Sequence, residues 1–128
     1  MRPPYTAAVS DGPDGTAAAA EALARGDLAA AEELGRAALR DDESLAARLT
    51  LAQALAWQGR GRDADAVLSE VDESALEDTD LMAWALPRAA NQFWMLNQPE
   101  RATAFLQSVR GSVTSAGAGE TLDALLGT

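Results

Sequence analysis

An all-α fold follows from the residue inventory and from the punctuation between segments. The 128-residue chain holds 30 Ala and 17 Leu against five Val and no Ile. Ala and Leu are among the strongest helix formers, and strand formers are nearly missing. Ala- and Leu-rich segments alternate with short Gly, Asp, Ser and Pro breaks, which predicts a succession of helices. A chain of this length forms one domain with a core of its own.

Each helix has its own local warrant. Residues 1–13 hold three of the five prolines and little periodicity, and read as an extended or disordered lead-in. A first helix spans about Asp14 to Arg25 and stops at Gly26, a good residue for the left-handed position after a helix. Asp27 caps a second helix, Leu28 to about Arg40, with Glu32 and Glu33 early in it. Asp41-Asp42-Glu43-Ser44 breaks the chain and caps a third, about Leu45 to Gln58. Gly59-Arg60-Gly61 turns into a fourth, about Arg62 to Val71. An acidic connection, Asp72 to Asp80, has room for one helical turn. The fifth helix runs from about Leu81 to Leu96, and Pro87 inside it removes a backbone bond and predicts a kink. After the Asn97-Gln98 turn, Pro99 opens a sixth helix to about Val109. The Gly- and Ser-rich stretch 111–119 reads as a flexible connection, and Glu120 to Leu126 as a last helical segment.

The turns repeat. Ala24-Arg25-Gly26-Asp27-Leu28-Ala29-Ala30-Ala31 aligns with Trp57-Gln58-Gly59-Arg60-Gly61-Arg62-Asp63-Ala64, and both align with Met95-Leu96-Asn97-Gln98-Pro99-Glu100-Arg101-Ala102. The spacing is 33 residues from Gly26 to Gly59 and 38 from Gly59 to Asn97, the excess falling in the acidic connection. Small residues recur where two helices would cross closely: Ala19, Ala52 and Ala90 in the first helix of each unit, and Ala31, Ala64 and Ala102 in the second. Ala38, Val71 and Val109 follow one heptad later. Larger neighbours fill the gaps on either side of such crossings: Leu51, Leu55 and Leu68 in the second unit, Phe93 and Leu106 in the third.

A helix–turn–helix unit of about 34 residues with this small-residue pattern resembles the tetratricopeptide repeat. The resemblance covers about residues 14–110. It implies a right-handed α–α superhelix of three hairpins (about 14–42, 45–71 and 80–110) plus a partial fourth unit, 114–128. Three departures are visible. The repeat's early Trp is replaced by Gly15, Arg48 and Leu86. Its Leu-Gly pair reads Ala18-Ala19, Leu51-Ala52 and Ala89-Ala90. Its closing Pro is Glu43 in the first unit.

Leu122, Leu125 and Leu126 end the sequence without a polar capping helix, so we expect a fragment of a larger protein. The segments Gly26-Asp27-Leu28-Ala29-Ala30-Ala31 and Leu86-Pro87-Arg88-Ala89-Ala90-Asn91 are similar to the helical-repeat region of large ATP-binding LuxR-type transcriptional regulators of GC-rich bacteria. The resemblance implies a regulatory or scaffold role. It assigns ATP binding and DNA binding to other parts of such a protein and carries none of their residues onto this chain.

The composition points away from catalysis and cofactors. There is no Cys, no His and no Lys, which removes thiolate, imidazole and Schiff-base chemistry. Twenty acidic residues against ten Arg give a net charge of −10, which repels nucleic-acid phosphates and anionic lipid surfaces. No apolar run reaches the length of a membrane span, and none follows Met1-Arg2-Pro3-Pro4-Tyr5 as a secretory signal would require, so the expected location is the cytoplasm. Gly59-Arg60-Gly61 is too short for a phosphate cradle and follows no strand. Asp63, Asp65, Asp72, Glu73, Glu77, Asp78 and Asp80 lack the spacing and central Gly of a calcium loop and read as solvated, capping acids.

The aromatic residues give the candidate site. In repeat register, the first helix of each unit faces the concave surface. The third unit would present Trp84, Pro87, Asn91, Trp94 and Met95, with Arg88 beside them; the second would present Leu49, Gln53 and Trp57. Trp, Met and Arg are enriched at binding hot spots. We therefore expect Gln53, Trp57, Trp84, Arg88, Asn91, Trp94 and Met95 to receive a protein, a peptide or a small effector. A self-associating adaptor that dimerises through its last helix is the alternative expectation.

Overall fold

The structure is a computed structural model and describes residues 12–41 and 43–127. Among the described residues every regular element is helical. The helices are α1 (Gly12–Ala24), α2 (Leu28–Asp41), α3 (Leu45–Trp57), α4 (Gly61–Ser69), α5 (Asp78–Ala90), α6 (Pro99–Arg110) and α7 (Ala116–Leu126). A single 3-10 turn, Glu73–Ala75, lies in the acidic connection, and a π turn, Asn91–Met95, follows α5. The all-α expectation is met. The lead-in read at 1–13 lies outside the described residues up to residue 11, whereas Gly12 and Pro13 already belong to α1. Pro13 sits in the first turn, where its missing N–H costs no helical bond.

Side-chain caps open α2, α3 and α7. The Asp27 carboxylate accepts the Ala30 N–H at 3.2 Å, and Ser44 Oγ accepts that of Ala47 at 3.1 Å. The 111–119 stretch is the exception to the sequence reading, because α7 begins at Ala116 inside it. Two tertiary contacts supply what its glycines lack. Asp78 accepts the backbone N–H groups of Thr114 and Ser115, and Ser115 Oγ caps Ala118 N–H at 3.2 Å. Gly119, buried, leaves room for the Arg110 guanidinium, which pairs with Asp123 at 2.9 Å.

The helices pack as consecutive hairpins. α1 lies on α2, α3 on α4 and α5 on α6; each pair then meets the next through α1–α3, α2–α3, α3–α5 and α4–α5, and α7 lies on α6 and α5. The crossing positions expected to be small are buried at Ala19, Ala52, Ala31, Ala64, Ala102, Ala38 and Val109, and Val71 is half-buried. Leu51, Leu55, Leu68, Leu81, Trp84 and Leu122 form the main core. Gly35 brings α2 onto α3, where a β-carbon would stand 3.1 Å from that of Leu51.

The three hairpin turns share one device, and the third carries an extra residue. Gly26, Gly59 and Asn97 all have left-handed backbone, at φ 80°, 82° and 54°. In the first two, the residue after the turn reaches back five positions: Asp27 N–H to Ala22 O and Arg60 N–H to Leu55 O, both 2.9 Å. In the third, Gln98 N–H reaches back six, to Gln92 O at 2.8 Å. The π turn absorbs the additional residue, with Leu96 N–H bonded to Asn91 O at 2.9 Å. Gln92 therefore stands where Ala22 and Leu55 stand. Three residues earlier come Ala19, Ala52 and Ala89, all buried. This corrects the sequence reading by one position. Ala90 is exposed and Ala89 makes the close approach, while Phe93 is turned outward instead of filling the core.

Charged side chains join the hairpins at equivalent places. Glu32 and Asp65 each follow the small residue of a second helix. Glu32 accepts from Gln58 at 3.1 Å and from Arg60 at 2.8 Å; Asp65 accepts from Arg88 at 3.2 Å and Arg101 at 3.0 Å. Arg48 takes the place of the early Trp and ties α3 to α4 through Val67 O at 3.0 Å and Glu70 at 2.7 Å.

Candidate functional site

A groove of about 520 Å³ runs along α3 and α5 with α4 as its floor. Leu49, Gln53, Ala56 and Trp57 form the α3 wall, at helical spacing. Ala83, Pro87 and Ala90 form the α5 wall, which the π turn continues through Asn91, Trp94 and Met95. Ala52, Ala64 and Leu68 lie beneath. Five of the seven residues expected at the site, Gln53, Trp57, Asn91, Trp94 and Met95, therefore meet around one cleft contributed by two hairpins.

Trp84 and Arg88 do not belong to it. Trp84 is 1% exposed, and its indole N–H donates to Leu68 O at 2.8 Å. Its ring meets Phe105 edge-on at 5.3 Å, and the Arg88 guanidinium lies 5.4 Å from the Trp84 centroid and 5.0 Å from that of Phe105. The reason is angular. Ala83, Pro87 and Ala90 define the groove face of α5, and the positions one residue on are rotated by about 100° toward α4 and α6. Spacing alone could not separate the two faces, because Trp84 stands three residues before Pro87 on the ridge that continues to Asn91 and Trp94.

The walls are apolar at the far end and carry unpaired surface. Trp94 is 77% exposed and Trp57 56%, both large values for indoles in a folded chain. Phe93 and Met95 are also exposed, and Phe93 braces Trp94 in an edge contact at 4.7 Å. The wider π turn sets this cluster at the surface while burying Asn91 and Gln92. Asn91 Nδ2 donates to Gly61 O at 2.8 Å, which pins the π turn to the first residue of α4. Among the described residues, Asn91 Oδ1 and Gln92 Oε1 have no hydrogen-bond partner. Sequence reasoning missed Gln92 and Gly61. The only signal was the second Gly of Gly59-Arg60-Gly61, which the turn itself does not need.

No charged residue lines the groove, so its field comes from its two ends. Arg60 and Arg62 flank the Met95 end, where Arg60 is held by Glu32 and Asp63. The Gln58 carboxamide, together with Arg36 and Arg60, keeps the Glu32 carboxyl below the usual carboxylate range against some opposing desolvation. Among the described residues no cluster of His, Cys, Asp and Glu has metal-binding geometry, and no helix is long and apolar enough to cross a membrane.

Comparison with known proteins gives no match: no family model fits the chain, and no curated protein or solved structure resembles it significantly.

Proposed function

We propose that this chain is a non-catalytic binding module, a row of tetratricopeptide-like hairpins that takes a peptide segment of a protein partner between α3 and α5. The observation that carries this reading is the convergence of Trp57, Trp94 and Met95, all exposed, on one apolar groove. Contiguous exposed apolar surface with aromatic anchors and a few carboxamides is the usual make-up of a recognition site. The equivalent turns at Gly26, Gly59 and Asn97 support the repeat architecture. The phrasing shared with LuxR-type regulators supports a place as the regulatory or scaffold segment of a larger bacterial transcriptional regulator, in the cytoplasm.

A random peptide display selected on the wild-type chain tests the binding role. The counter-selection uses Trp57→Ala/Trp94→Ala with unchanged far-UV circular dichroism. Enriched peptides should bind wild type alone. Peptides that bind both proteins equally, or no enrichment at all, would overturn the reading.

One observation favours a second reading, dimerisation through α7. Leu125 projects from that helix at 56% exposure. A concentration-dependent dimer that Leu125→Arg dissolves would support it, and a monomer at high micromolar concentration would exclude it.

A further inference from the structure

The two ends of the groove differ in charge, and the difference identifies what fits. α3 and α5 run in the same direction beside it, from Leu49 and Ala83 at one end to Trp57, Trp94 and Met95 at the other. α4 runs back beneath them. Its first residue, Gly61, is bonded to Asn91 at the aromatic end, and Leu68 near its last turn is bonded to Trp84 toward the other. The connection after α4 therefore returns to the Leu49–Ala83 end with Asp72, Glu73 and Glu77. Asp80 stands three residues before Ala83, on the ridge that forms the α5 wall. Glu73, Glu77 and Asp80 are exposed, and none has a cationic partner among the described residues. At the aromatic end Arg62 is likewise exposed, with no anionic partner among the described residues, beside Arg60.

Resting on the groove reading above, we propose that the occupant is a basic-ended apolar peptide. Its Arg or Lys side chains lie against Asp80 and Glu77, and its apolar side chains lie between Trp57 and Trp94. The groove wall is neutral, so apolar contact supplies the affinity and the flanking carboxylates set the orientation. A chain with net charge −10 also selects against another acidic surface, a second copy of itself included.

Three fluorescein-labelled nine-residue peptides test this by fluorescence anisotropy. All share a Leu-Phe-Leu run; the opposite end carries two Arg, two Ser or two Glu. The Arg peptide should bind most tightly and the Glu peptide least, with the differences collapsing at 0.5 M salt. Asp80→Asn with Glu77→Gln should weaken the Arg peptide by about two- to tenfold and leave the Ser peptide unchanged. Trp94→Ala should weaken all three. Equal affinities of the three peptides, with Trp94 still required, would overturn the charge assignment and leave the groove reading standing. Absence of binding by all three would overturn the present proposal, while the display selection decides the groove reading separately. A dimer that Trp94→Ala dissolves and the Arg peptide fails to displace would give the groove to a second copy and overturn it as well.

Discussion

A β-carbon on Gly61 would stand 2.8 Å from the β-carbon of Met95, inside the distance at which real side-chain carbons meet. The same position would lie 3.2 Å from a Leu96 methyl and 3.3 Å from Asn91 Oδ1. The first residue of α4 is thus pressed into the π turn, and Asn91 locks the contact by its bond to Gly61 O. The aromatic end of the groove owes its shape to this absence of a side chain.

Gly61→Ala should therefore destabilise the fold by about 1–3 kcal/mol, the usual cost of overpacking a tight contact. The helix itself would favour Ala, so the sign depends on the contact alone. Gly59 gives the contrast. No atom lies within 4 Å of its added β-carbon, but its φ of 82° costs Ala about 1 kcal/mol. Urea unfolding of both variants measures the two costs, and a Gly61→Ala protein as stable as wild type would show that the π turn yields freely.

How much of this was legible depends on which residues are considered. The hairpin turns were, because Gly26 and Gly59 signal left-handed backbone and Asn tolerates it at 97. The small crossings at Ala31, Ala64 and Ala102 were legible because they lie at fixed distances after those turns. The third unit was misread by one residue because nothing in Ala89-Ala90-Asn91-Gln92 marks a π turn, and either alanine satisfies the small position. Phe93, expected in the core, lies exposed for the same reason. The groove was legible at Trp57, Trp94 and Met95, whereas Trp84 and Arg88 were not separable from it by spacing. The helical start at Ala116 was hidden because Asp78, far away in sequence, stabilises it.

Trp84→Phe should cost about 0.5–1.5 kcal/mol through the lost indole bond, because the Leu68 carbonyl still accepts the Val71 N–H at 3.3 Å. Loss of part of the ring beneath Arg88 adds to this. Trp94→Phe, at an exposed site, should change stability by less than about 0.5 kcal/mol. Thermal melts of the two variants compare a core indole with a groove indole, and equal shifts would contradict the burial that separates them.

Asp78 links stability to pH. The backbone N–H groups of Ser115 and Thr114 hold its carboxyl below the ordinary 3.8. Between the folded and unfolded values the unfolded chain binds the extra proton, so stability rises with pH there. The contribution is complete above about pH 5 and is lost as the pH falls through the depressed folded value. Asp78→Asn should lower the urea midpoint by a constant amount at neutral pH and by a shrinking amount below about pH 4. A difference that persists unchanged in acid would mean that the side chain acts by shape and not by charge.

Gln92 is the residue whose replacement should strengthen the fold. It is 1% exposed, its Oε1 has no hydrogen-bond partner among the described residues, and the equivalent positions in the other hairpins hold Ala22 and Leu55. Leu has a similar volume and no polar atom to desolvate, so Gln92→Leu should stabilise by about 1–2 kcal/mol. The melting temperature should rise by about 4–7 °C for a chain of this size. The hairpin turn that follows is closed by the Gln92 carbonyl through Gln98 N–H, a backbone bond that Leu preserves. Trp57 and Trp94 should accordingly keep their emission maximum in the variant. A lower melting temperature with a shifted emission would instead assign the carboxamide a part in holding the turn open, and so in shaping the groove.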